Sequence, residues 1–149
     1  MPLTVLHLLS LIPFLRARDR HEITGLRGSD DLTGWAFECA MSDVGYACVT
    51  DGWKVQFVTG VARAPTNVGT LWFAARDGWE RYVKHALVFF REVRRHLGYQ
   101  RLEMLVYEDN QIARRFAEKL GLTCEGTLRS YTARGENVMV YSLIEGGAA

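Results

Sequence analysis

The stretch from Leu102 to Leu122 constrains this chain more than any other, because it sets a strand, a helix start, a helix and a helix stop end to end. Leu102, Met104 and Val106 alternate with Glu103, Leu105 and Tyr107. The second face is itself largely apolar, which suits a central strand with helices on both sides. Asp109 or Asn110 then offers a side-chain oxygen to the first free N–H groups of a helix. Ile112, Ala113, Phe116, Ala117 and Leu120 recur at three- and four-residue spacing as its inner face, and Gly121 supplies the left-handed stop.

The remaining residues are read around that unit. A chain of 149 residues suits one domain, residues 1–149. Its net charge of +1 gives no global bias toward nucleic acid or anionic membrane, so neither nonspecific polyanion binding nor nucleic-acid specificity is expected. Cys39, Cys48 and Cys124 are odd in number and widely spaced, which argues against a disulfide framework and against a metal site. The apolar opening Leu3–Leu15 is too short for a transmembrane segment. It also lacks the basic leader and small-residue cleavage site of a secretory signal. It reads instead as a buried first strand, Thr4–Leu9, leading into a helix over Leu11–Leu26 with Ser10 as N-cap, Pro13 in the first turn, and Phe14, Leu15, Ile23 and Leu26 inward.

Ser29 or Asp30 can cap a short second helix, Asp31–Met41. Asp51-Gly52 between apolar runs predicts an antiparallel hairpin of Tyr46–Val49 with Val55–Val61. Thr70–Ala75 reads as a further strand. The longest helix is expected over Trp79–Leu97, with Gly98 ending it and a basic outer side that is read as a solvated face. A closing hairpin, Gly126–Tyr131 with Asn137–Leu143, follows the Leu102–Leu122 unit, and residues 144–149 read as a frayed tail. Leu3–Phe14 and the aromatics Trp53 and Trp79 could dock a partner, but core packing is the expected fate of each.

The wording Asn110-x-x-Ala113-x-x-x-Ala117-Glu118-Lys119-Leu120-Gly121-Leu122 resembles the closing strand and helix of the GNAT acyltransferase superfamily. The resemblance implies an α/β (α+β) fold with a mixed, mostly antiparallel sheet of six to seven strands and helices on both faces. It also implies acetyl-CoA as cofactor, its pyrophosphate held by a glycine-rich loop at a helix N-terminus. Here that loop falls at about Arg76–Val83, with one glycine, the bulky Trp79 and Tyr82 where the resemblance wants small residues that let the backbone approach phosphate, and the carboxylates Asp77 and Glu80. Arg76, Gly78, Arg81 and Asn110 are the cofactor-binding candidates that the resemblance leaves. The tyrosine that would protonate the departing thiolate is replaced by Ala117. Glu103 and Glu108, on or just after the signature strand, are the catalytic candidates.

Phe90-Arg91-Glu92-Val93-Arg94-Arg95, Tyr99-x-Arg101-Leu102-Glu103 and Val138-x-Val140-Tyr141-Ser142-Leu143 resemble GNAT-like internal virion proteins of short-tailed bacteriophages. This implies a virion-associated or assembly protein with a degenerate acetyl-CoA site, located in the virion or the host cytoplasm. Its partners would be other phage structural proteins (portal, core or tail), with a homo-oligomer also open. The alternative is an active N-acetyltransferase that moves an acetyl group from acetyl-CoA to an amine of a protein or small molecule.

Overall fold

The computed structural model describes residues 1–145. The elements run α1 (Val5–Leu11), a 3-10 turn (Ile12–Phe14), α2 (Ala17–Arg27), α3 (Leu32–Ala40), β1 (Val44–Thr50), β2 (Lys54–Arg63) and β3 (Val68–Ala75). A second 3-10 turn (Trp79–Tyr82) leads into α4 (Val83–His96), β4 (Arg101–Tyr107), α5 (Gln111–Lys119), β5 (Thr123–Leu128) and β6 (Val138–Ile144). The six strands form one sheet in the order β1-β2-β3-β4-β6-β5. Only the β3–β4 pair is parallel, so the sheet is mixed and mostly antiparallel, as expected.

Helices cover both faces because strand alternation sends apolar side chains both ways. Val58, Trp72 and Ala74 pack with Leu8, Leu11, Trp35 and Ala36 of α1 and α3. Val61, Leu102, Val106 and Tyr141 pack with Phe90 and Val93 of α4 and with Ala117 and Leu120 of α5. No helix among the described residues is long and apolar enough to cross a membrane.

The Leu102–Leu122 unit forms as expected. Asn110 is the cap, its Oδ1 accepting from the Ala113 N–H at 3.1 Å, and Gly121 closes the turn at φ +93°. Ile112, expected inside, is 80% exposed, because Ala113, Phe116, Ala117 and Leu120 already fill the inner stripe. The Asp51-Gly52 hairpin is also present, with Gly52 at φ +77°.

The amino-terminal expectations need correction. Thr4–Leu9 is no strand. Residues 1–3 take the free edge of β1 instead, through Leu3 N–H to Gly45 O (3.1 Å) and Ala47 N–H to Met1 O (2.9 Å). The leucines that follow, without period-two alternation, coil so that Leu8 and Leu11 face the core. The expected Leu11–Leu26 helix is broken at Pro13, whose 3-10 turn leaves Leu15 extended and bridged to Arg76, and Ser10 caps nothing. Phe14 and Leu26, expected inward, are consequently exposed, at 55% and 40%. Asp31, rather than Ser29 or Asp30, caps α3 by accepting from the Gly34 N–H at 2.9 Å. The closing hairpin forms with its first strand three residues early, and Ile144 and Glu145 are ordered: Ile144 lies in β6 and Glu145 pairs with Arg94. Residues 146–149 of the expected frayed tail lie outside the described residues.

Candidate functional site

The parallel pair β3–β4 holds for only three rungs, Val68 with Arg101, Gly69 with Leu102 and Thr70 with Glu103. Beyond Thr70 and Glu103 the two strands part, although β3 continues to Ala75 and β4 to Tyr107. The resulting cleft opens toward the carboxyl ends of the strands, where sheets of this kind bind ligands.

Its inside is full. Leu71, Trp72, Phe73, Met104, Phe89, Phe90 and Phe116 are among the residues lining a cavity of about 40 Å³. That is room for a water or two, against the roughly 300–1,000 Å³ of a small-molecule pocket. Trp79 completes the filling. Its ring lies 4.6 Å from Phe73 of β3, 5.8 Å from Phe57 of β2 and 6.4 Å, edge-on, from Phe116 of α5, so one indole joins the two sides of the cleft. Arg16 sits 5.7 Å above that ring as a cation–π contact. Trp79 is 8% exposed, and its indole N–H has no partner among the described residues. Trp79 is thus packed in the core, as expected, and is not available as an exposed docking residue.

The cleft edge of β3 is also occupied. Arg76 turns its N–H to Gln56 O on β2, so by strand alternation Ala75 turns its peptide groups to the cleft. There the Ala75 N–H donates to Asp19 Oδ2 at 2.9 Å, and Ala75 O accepts from the Arg16 N–H at 3.0 Å. Arg16 in turn holds Asp19 with two hydrogen bonds of 2.8 Å. The next turn of α2 reaches β4. The Tyr107 hydroxyl donates to Glu22 O at 3.0 Å, Asn110 Nδ2 donates to Glu22 Oε2 at 2.9 Å, and Arg18 pairs with both Glu22 and Asp109. The amino-terminal half of α2 thus bridges the mouth of the cleft. Arg18 holds the Asp109 carboxyl below its usual range, so this latch is ionised at neutral pH. Burial, with Glu136 and Glu22 nearby, pushes the Tyr107 phenol up to about 12, which leaves it protonated at neutral pH.

The residues singled out from sequence are not brought together. Arg76 donates from Nε to Val55 O at 2.7 Å and stacks over Phe14 at 4.4 Å. Gly78 starts the second 3-10 turn at φ +87°, and Arg81 lies exposed within that turn. Asn110 is spent on the α5 cap and on Glu22. Glu103 sits at the apex of the cleft, half-buried, its Oε2 taking the Arg101 Nε–H at 2.8 Å. Glu108 lies beyond the strand, where Glu108, Asp109 and Glu136 line an open hollow of about 290 Å³. A larger open groove of about 400 Å³ lies between α2 and the β5–β6 loop, lined by Arg20, His21, Thr24, Asp30 and Arg134 among others. Sequence reasoning missed Asp19 and Arg16, which make the decisive contacts across 56 and 59 positions of chain, and no local pattern marks them.

No family model matches the sequence, and no curated protein matches it. Solved structures do. A GNAT-family protein from Chromobacterium violaceum superposes with a TM-score of 0.75, covering 98% of this chain and 86% of that one at 19% identity. The fold is that of the GNAT acetyltransferases. The ribosomal-protein-S5-alanine acetyltransferase of Vibrio fischeri (TM-score 0.71, 13% identity, 99% and 92% covered) has the same fold. So does a GCN5-related N-acetyltransferase of Brucella melitensis (0.66, 19%, 95% and 71%). Acetyl-CoA, the cofactor that the GNAT resemblance implies, does not fit the residues present. The cleft is packed, the backbone groups of Ala75 are taken, and the loop after β3 folds into a 3-10 turn around a bulky, buried side chain.

Proposed function

We propose that this chain is a non-catalytic binding protein on a GNAT fold, with residues 1–149 forming one domain, that does not carry acetyl groups on CoA. The observation that carries this reading is the closed cleft: Trp79 bridges Phe73 and Phe116, while Asp19 and Arg16 occupy Ala75. The absence of a phenol at position 117 supports it, since Ala117 is fully buried and donates no proton. The resemblance of Phe90–Arg95, Tyr99–Glu103 and Val138–Leu143 to internal virion proteins supports a role in particle assembly, in the virion or host cytoplasm. Portal, core or tail proteins would be the partners.

The parted β3 and β4 favour the alternative, a working N-acetyltransferase whose cleft opens on binding. Calorimetric titration of acetyl-CoA separates the two. Absence of heat up to millimolar cofactor agrees with the binding role. Saturable heat at micromolar cofactor with one site per chain contradicts it and supports the transferase.

A further inference from the structure

The net charge of +1 conceals a segregation that the fold makes visible. Residues 79–96 and 111–119, which form the second 3-10 turn, α4 and α5, carry eight Lys and Arg against three Asp and Glu. That segment is therefore +5, and the rest of the chain is −4. Both helices pack on the same face of the sheet through Phe90, Val93, Ala117 and Leu120, so their outer sides share one surface.

On α4, Lys84, Arg91 and Arg95 fall on one line at spacings of seven and four, opposite the buried Ala86, Phe90 and Val93. All three are exposed, and none forms an ion pair among the described residues. Only Val88 interrupts the line, and no carboxylate lies on it. Glu92, one step round the helix, pairs with His96 at 3.0 Å. On α5, Arg115 and Lys119 are exposed and likewise unpaired among the described residues, with Glu118 between them. Off this face Arg16, Arg18, Arg27, Arg63 and Arg101 each have a carboxylate partner, while Arg20 and Arg76 donate to backbone carbonyls.

We infer that the α4–α5 face binds the phosphodiester backbone of a nucleic acid without reading its sequence. A straight row of unpaired, largely arginine cations on a rigid helix complements a regular row of phosphates, and arginine binds phosphate through two parallel donors. An anionic membrane is the poorer match, because a surface-lying helix needs its apolar side outward and α4 turns that side to the core. This surface stands independently of the closed cleft.

Fluorescence anisotropy with a labelled random-sequence DNA duplex and a single-stranded RNA, over a salt series from about 50 to 200 mM, tests it. Five backbone contacts predict a slope of log K against log salt of about −4.5, a loss of roughly 500-fold over that range for the duplex. The triple variant Lys84→Gln/Arg91→Gln/Arg95→Gln should flatten the slope to about −1.8. Substituting the exposed Lys54 and Arg129, away from this face, should leave it unchanged. Circular dichroism checks that the variants fold. Absence of binding at the lowest salt, a slope unaffected by the triple variant, or tighter binding to polyglutamate than to either nucleic acid would overturn the inference.

Discussion

Replacing Trp79 separates its two physical contributions. The side chain is 8% exposed and packs with Phe57, Phe73 and Phe116, while its N–H is buried without a partner among the described residues. Truncation to alanine removes about 150–250 Å² of buried aromatic surface, or roughly 4–6 kcal/mol at 25 cal/mol/Å². Removing the orphaned donor returns about 1–3 kcal/mol. The expected net loss for Trp79→Ala is therefore about 3 kcal/mol, in line with other large core truncations. Trp79→Phe keeps most of the area, loses about 1 kcal/mol of contact and sheds the same donor, so it should be nearly neutral. Urea denaturation followed by circular dichroism reads both as midpoint shifts at unchanged slope. A Phe variant as unstable as the Ala variant would mean that the indole N–H makes a contact the protein depends on. An Ala variant losing under about 1 kcal/mol would show that the indole does not brace the cleft.

Three further outcomes follow from the same geometry. Asp19→Ala strands the Ala75 N–H and a guanidinium held by two hydrogen bonds, and should cost about 3 kcal/mol in chemical denaturation; a cost near zero would mean that the latch across the cleft contributes nothing. Gly25→Ala gains roughly 1 kcal/mol of helix propensity, yet its Cβ would lie 2.3 Å from the Tyr107 hydroxyl and 2.7 Å from Arg134 Nη1, so a lowered melting temperature is expected, and a raised one would show that α2 packs more loosely. His7 is buried, with Nδ1 accepting from the Thr4 N–H at 3.0 Å, and its pKa is lowered first by burial and then by the nearby terminal ammonium. The unfolded chain then binds the extra proton first, so stability is full above the ordinary histidine value and falls as pH drops below it, by at most about 1.4 kcal/mol per pH unit. His7→Gln should flatten that slope between pH 7 and 5, and an identical slope in both proteins would exclude His7 as its source.

What the sequence made legible was local. Asn110 and Gly121 announce the start and stop of α5 within a dozen residues, and Asp51-Gly52 announces its hairpin, because capping and left-handed turns depend on the residues themselves. The amino terminus was misread because its leucines have no period, so only the competition for the β1 edge, won by residues 1–3, decides that Val5–Leu11 coils. The bulk at position 79 was visible as an obstacle to phosphate binding, but its insertion between Phe73 and Phe116 was not. The Asp19–Ala75 contact joins residues 56 apart and has no signature short of the fold.

Nitrogen-15 NMR during an acetyl-CoA titration tests the closed cleft most directly, since the Trp79 indole N–H and the Ala75 amide report on its two blocked surfaces. Both resonances should stay in place up to millimolar cofactor. Saturable shifts of both at micromolar cofactor would contradict the account, because they would mean that the indole and the α2 latch yield to CoA.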